Sequence, residues 1–188
     1  MERIAFFTLK GPFGFCSNFS RHKVRIFGKV WVTSEHAYQA MKFLDPEIQT
    51  LIWSQDTPRK AADIGRDPRL PLRPDWESTD PNPSPPAIEK VKDRFMYEVV
   101  LAKFRQNKGL GKMLCDSGSA YLVEDTHRTG DAYWGETSPG VGHNRLGHIL
   151  MKVRDKLREE YRQMNACQEL TRLTEAMGLY PWQQLPED

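Results

Sequence analysis

The sequence predicts one α+β domain, mainly helical, with a small antiparallel sheet. Two observations carry this reading. Stretches with apolar residues at three- and four-residue spacing outnumber the short alternating ones. A chain of 188 residues, 39% hydrophobic and 28% charged, also suffices for one well-formed core, which argues against a second independent domain.

Residues 4–9 (IAFFTL) read as a strand, followed by a turn at Lys10-Gly11-Pro12-Phe13-Gly14. Val24, Ile26, Val30 and Val32 alternate loosely about Gly28-Lys29, the pattern of a β-hairpin. Thr33 or Ser34 can cap a first helix reaching to about Phe43. Pro46 opens a second helix to Trp53, and Thr57-Pro58 a third, which stops at Gly65. Five prolines between Pro74 and Pro86 predict an irregular surface loop. The clearest helix spans residues 86–107, with Ile88, Val91, Phe95, Val99, Ala102 and Phe104 on its apolar face. A short helix (110–115), a strand (120–124) and a Gly/Thr/Ser-rich loop (125–142) precede a helical stripe through Leu146, Ile149, Leu150, Val153, Leu157, Tyr161 and Met164. The domain is therefore placed at 1–164. Residues 165–188 form a helical extension ending at Gly178, before Tyr180-Pro181-Trp182.

A formal net charge of +2 gives no electrostatic footprint for general nucleic-acid binding. Cys16, Cys115 and Cys167 are odd in number and form no CxxC, so neither a disulfide framework nor a cysteine zinc site is expected. No signal-peptide pattern or membrane-length apolar run is seen, which predicts a soluble, cytoplasmic protein. The histidines show no ligand spacing with carboxylates, so the reaction is expected to need no metal, and no GxGxxG follows a strand to suggest a Rossmann cofactor site.

The chemistry concentrates on the first helix. Glu35, Gln39 and Lys42 recur at helical spacing with Tyr38 beside them, while Ala37, Ala40 and Met41 populate the other side. Spacing alone fits a solvated amphipathic helix, whose Glu complements the positive helix N-terminus, at least as well as a catalytic stripe.

Ordered motifs break that tie. Ser17-Asn18-Phe19 and Trp31-Val32-Thr33-Ser34-Glu35-His36-Ala37-Tyr38-Gln39-Ala40-Met41-Lys42-Phe43 are followed by Ala62-Asp63-Ile64-Gly65-Arg66 and Arg73-Pro74-Asp75-Trp76-Glu77. Then come Lys103-Phe104 with Gln106-Asn107, Leu122-Val123-Glu124, Asp131-Ala132-Tyr133-Trp134-Gly135, and Asn144-Arg145-Leu146-Gly147-His148. Together they resemble the NADAR (YbiA-like) family, from Ala5 to about Arg158. The segment 80–86 looks like an insertion, and residues beyond 165 extend past the family core.

The resemblance implies N-glycosidase chemistry on ribosyl or ADP-ribosyl N-glycosides, such as riboflavin-pathway ribosylamine phosphates or ADP-ribosylated guanine, with no cofactor. It assigns Glu35 to acid–base work and Asp131 to the water or the sugar cation, with the roles exchangeable. Lys42 could instead form a Schiff base with a ring-opened ribosylamine. Trp76 and Trp134 are candidates for stacking on the heterocycle, Tyr38 for a further substrate contact, and Arg66 and Arg73 for a phosphate. Asn18, Phe19, Gly135 and Asn144 complete the expected substrate contacts. Gly140 and Gly142 would let their loop approach ligand, and the amides after Asn144 could seat an anion. The competing readings are a non-catalytic module binding ADP-ribose or an NAD-derived nucleotide, and a helical interaction protein acting through its tail. The expected substrate is a small molecule, with ADP-ribosylated nucleic acid as a further one, on a monomer or homodimer that needs no membrane.

Overall fold

Thr33 sits in extended backbone (φ −143°, ψ 162°) and its hydroxyl accepts the His36 amide, which starts α1 at Ser34–Ala40. All seven of its residues are buried, so the helix is a central pillar and not a surface stripe. In the computed structural model, which describes residues 2–176, the helices α2 (Pro46–Trp53), α3 (Pro58–Gly65) and α4 (Val91–Gln106) close around it. Asp45 and Thr57 cap α2 and α3 with their side-chain oxygens, each ahead of a proline in the first turn; the sequence predicts both prolines and the Thr57 cap.

The strands form three two-stranded sheets among the described residues. β2 (Val24–Ile26) and β3 (Lys29–Trp31) are an antiparallel hairpin. Its reversal is Phe27-Gly28 (φ 53° and 74°), one residue before the expected Gly28-Lys29 because Lys29 already pairs with Ile26, and both residues are left-handed as a tight two-residue turn demands. β1 (Arg3–Phe6) and β6 (Tyr121–Glu124) pair in parallel, with Phe6 opposite Glu124. A short turn forces antiparallel pairing, but strands separated by whole helices are under no such constraint, so their direction is not written in local sequence.

The proline-rich stretch departs from the expected loop. β4 (Thr79–Ser84) pairs antiparallel with β5 (Ile88–Lys90) through an irregular register. Prolines at alternate positions 81 and 83 have no amide to donate, and the Asn82 amide between them goes to Asp80 Oδ1 (2.8 Å), which an edge strand tolerates. α4 consequently starts at Val91, five residues later than its apolar pattern suggests, where Asp93 Oδ2 accepts the amides of Glu89 and Lys90.

After α5 (Lys108–Asp116) and β6, the last described element is α6, Arg145–Ala176. Leu146, Ile149, Leu150, Val153 and Leu157 are buried against α4, α5 and β6. Met164, Leu170 and Leu173 are exposed, so the helix runs unbroken through Asn165 while its burial stops. The expected stop at Gly178 and the Tyr180-Pro181-Trp182 segment lie outside the described residues. Among those described, no helix is long and apolar enough to cross a membrane.

One buried polar contact ties the N-terminal segment to this core. Lys103 on α4 is fully buried, and its amine donates to the carbonyls of Phe15 (2.7 Å) and Ser17 (2.8 Å), fixing the 3-10 turn Gly14–Cys16 and the residues after it. Burial pushes this amine down to about 7. Replacing Lys103 by Met should leave both carbonyls without a donor, at roughly 1–3 kcal/mol each, partly offset by removing the buried amine. An unfolding free energy from urea denaturation lowered by a net ~1–3 kcal/mol is expected; an unchanged one would show that the amine does not anchor the turn.

Candidate active site

The polar face of α1 opens on a cavity of about 840 Å³. Glu35, Tyr38, Gln39 and Lys42 form one wall; Glu124 at the end of β6 and Asp131 and Trp134 of the following loop form the facing one. Asn18 and Phe19 close a third side, and Arg59, Arg66 and Arg128 stand at the rim. Helical periodicity thus gave the stripe, but the helix faces a hollow and not bulk water.

Glu35 is held at both ends. Its amide donates to the Asn18 carbonyl (3.1 Å), and its Oε1 accepts from Gln39 Nε2 (2.6 Å). Burial pushes its carboxyl up. The Gln39 hydrogen bond and the charges of Arg66 and Lys42 pull it down, and Asp131 pushes it up again. Lys42 donates to the Gly65 carbonyl (3.0 Å), and burial pushes its ammonium down to about 8, outweighing the opposing pull of Glu35. Asp131 Oδ1 accepts the amides of Tyr133 (3.1 Å) and Trp134 (2.9 Å), a local Asx turn that orients the carboxylate. The turn residue and the cavity residue are the same.

Tyr38 meets Trp134 edge-on (centroids 5.5 Å apart), leaving Trp134 on the cavity wall. Asn18 also lines the cavity, but its amide is engaged by Ser34 Oγ and Met96 Sδ.

Several expected contacts lie elsewhere. Trp76 is not among the lining residues; it is buried behind Tyr38 and stacks on Phe95, an aromatic layer of the core. Arg73 pairs with Asp75 (2.6 Å) and covers Phe95 instead of facing the cavity. Gly135 is also outside the lining, where a Cβ would stand 2.4 Å from the Glu124 carbonyl: the glycine lets the loop pass β6. Asn144, in left-handed backbone (φ 45°), donates to the Leu122 carbonyl and accepts the Glu124 amide, so it braces β6 and does not line the cavity. The first amides of α6 are not an anion seat, because Arg145 and Leu146 donate to the carbonyls of Tyr133 and Trp134. Gly140 and Gly142 likewise do not line the cavity. His36 is buried against Thr33 and Gln55, away from it.

Sequence reasoning missed Glu124. In a strand, alternate residues share a face, so Glu124 shares one with the fully buried Leu122, and that was a readable signal of an inward-pointing acid. It also missed Arg59 and Arg128, whose place at the rim depends on how α3 and the late loop meet. Among the described residues, no group of three or more His, Cys, Asp or Glu is disposed to hold a metal ion.

Comparison with known proteins shows the family and the fold. The NADAR domain model matches residues 5–158. N-glycosidase YbiA of Escherichia coli (strain K12) is 40% identical over 154 residues, covering 82% of this chain and 88% of that protein. The NMR structure of E. coli YbiA superposes with a TM-score of 0.73 at 39% identity, over 85% of this chain and 87% of that one. Riboflavin biosynthesis protein VVA0006 of Vibrio vulnificus (strain YJ016) is 33% identical over 158 residues, 84% of this chain but 39% of the longer protein.

The geometry makes Gly65 a sensitive position: a Cβ there would lie 2.0 Å from Gln39 Oε1. Gly65→Ala should displace the Gln39 amide from Glu35 and cost ~1–3 kcal/mol through overpacking, read as a lowered melting temperature. Turnover should fall by at least ~10-fold; undiminished turnover would mean that the Gln39–Glu35 bond is dispensable.

Proposed function

Since this chain belongs to the NADAR family and is an N-glycosidase, we propose that Glu35, Asp131 and Lys42 carry its chemistry on the C1′–N bond of a phosphorylated ribosylamine. The observation that supports this most is the convergence of Glu35, Asp131 and Lys42 on one cavity beside an aromatic wall. Breaking that bond develops positive charge on the sugar and negative charge on the departing nitrogen. Asp131, facing C1′, stabilises the cation; Glu35 handles the proton traffic that adds water across the bond. Tyr38 and Trp134 receive the heterocycle, with Phe19 and Asn18 against the sugar. Arg66, exposed at the rim with Arg59 nearby, takes the 5′-phosphate through forked hydrogen bonds.

The riboflavin biosynthesis protein among its relatives favours a ribosylaminopyrimidine phosphate, a substrate of the cytoplasm. ADP-ribosylated guanine presents the same kind of bond, and a cavity of about 840 Å³ has room for the larger ligand. A parallel assay of ribosylaminopyrimidine phosphate and an ADP-ribosyl-guanosine oligonucleotide decides between them. Free sugar phosphate should appear from the former. Glu35→Gln should lower kcat by ~10²–10⁴ while leaving affinity nearly intact. Tight binding by the wild type with no sugar released from either substrate would establish a binding module instead.

The lowered Lys42 amine favours a covalent variant of the same reaction. The ribosylamine opens to an imine, and the neutral Lys42 amine adds to C1. The original amine departs with a proton, and water then hydrolyses the lysine imine to the free aldehyde. A neutral amine is required, so this route gains rate as pH rises through about 8. Borohydride during turnover should leave reduced ribose phosphate on Lys42, detected by peptide mass; its absence would leave direct hydrolysis.

A further inference from the structure

The cavity holds one carboxyl that the mechanism above does not use. Glu124 faces it from the end of β6, on the wall opposite α1. We infer that Glu124 is the general acid that delivers a proton to the departing nitrogen, leaving Glu35 to accept the proton of the attacking water. This assignment rests on the N-glycosidase reading of the same cavity and divides its proton transfers between two named groups.

The surroundings of the two glutamates differ in kind. Burial pushes the Glu35 carboxyl up as well, but Glu35 accepts a hydrogen bond from Gln39 and feels the cations Arg66 and Lys42, which favour its charged form and oppose that rise. Glu124 has no such help: the charges acting on it are those of Asp131 and Glu35, both anionic. With burial, they push its carboxyl up to about 8, so it holds a proton at neutral pH. Arg128, Arg59 and Arg66 stand at the rim, and Lys42 lies on the α1 wall. Three acids sharing one hollow cannot all ionise cheaply, and the proton resides on the one without a donor or a cation.

The position is also rigid. The Glu124 amide donates to Asn144 Oδ1 (3.1 Å), its carbonyl accepts from Glu136 N (2.9 Å), and the residue pairs with Phe6 across β1. A group at a strand end, fixed on both sides, is suited to proton transfer at a defined atom. In the step itself, the C1′–N electron pair goes to nitrogen, which takes the Glu124 proton. Water bonds to C1′ and yields its proton to Glu35. The products are the free amine and the sugar hydroxylated at C1′, and the two carboxyls exchange one proton with solvent to reset.

The test uses N-aryl ribosylamine 5-phosphates prepared from ribose 5-phosphate and anilines of graded basicity. Wild type should cleave the series with little dependence on the aniline. Glu124→Gln should lose ~10²–10⁴ in kcat on the most basic aniline, progressively less on weakly basic ones, with KM little changed. Glu124→Asp, which restores a proton donor, should recover at least ~10-fold over Gln. A Gln variant within ~3-fold of wild type, or one slowed equally on every aniline, overturns the assignment. If Glu124→Gln yields no folded chain by circular dichroism, the Asp variant alone decides: a steeper dependence than wild type supports the assignment and an unchanged one overturns it. Wild type that releases ribose phosphate from none of the series defeats the N-glycosidase reading itself, a result distinct from failure of Glu124 alone.

Discussion

Burying a helix that carries an acid and an amide, with a half-buried amine in the turn just after it, is the constraint around which the rest of this molecule is arranged. All seven residues of α1 are inaccessible or nearly so, yet its polar stripe cannot sit in an apolar core without partners. The fold answers with Gln39 against Glu35, the Gly65 carbonyl against Lys42, and a hollow left along the stripe. Desolvation then does chemical work: it moves an acid up and an amine down, toward the pH at which both can exchange protons.

The facing wall is assembled differently. The loop after β6 bends back so that its DAYWG segment feeds backbone carbonyls to the start of α6, while Asn144 grips the strand edge. Residues expected to touch substrate, Asn144 and Gly135, turn out to hold the backbone that presents Glu124, Asp131 and Trp134. A motif records everything needed to make a site, the bracing as well as the contacts. It does not say which is which.

The same distinction explains Trp76 and Lys103. Trp76 lies within a family block because it backs Tyr38, the residue that does reach the cavity. Lys103 lies within another because its amine ties down the segment that carries Asn18 and Phe19, some eighty residues earlier in the chain. Neither role can be inferred from residue type, since a tryptophan or lysine in a motif reads equally as a ligand contact.

By itself the sequence determined what depends on neighbours a few residues apart. The Thr33 cap, the proline-led helices α2 and α3, the β2–β3 hairpin and the stripe Glu35, Gln39, Lys42 are all local, set by torsional preference and helical period. Tertiary structure alone decided the parallel pairing of β1 with β6, the irregular β4 ribbon and the approach of Glu124 and Asp131 to Glu35. Those are long-range contacts, chosen by the packing of whole helices, and desolvation and charge coupling at the site exist only once that packing has brought the groups together.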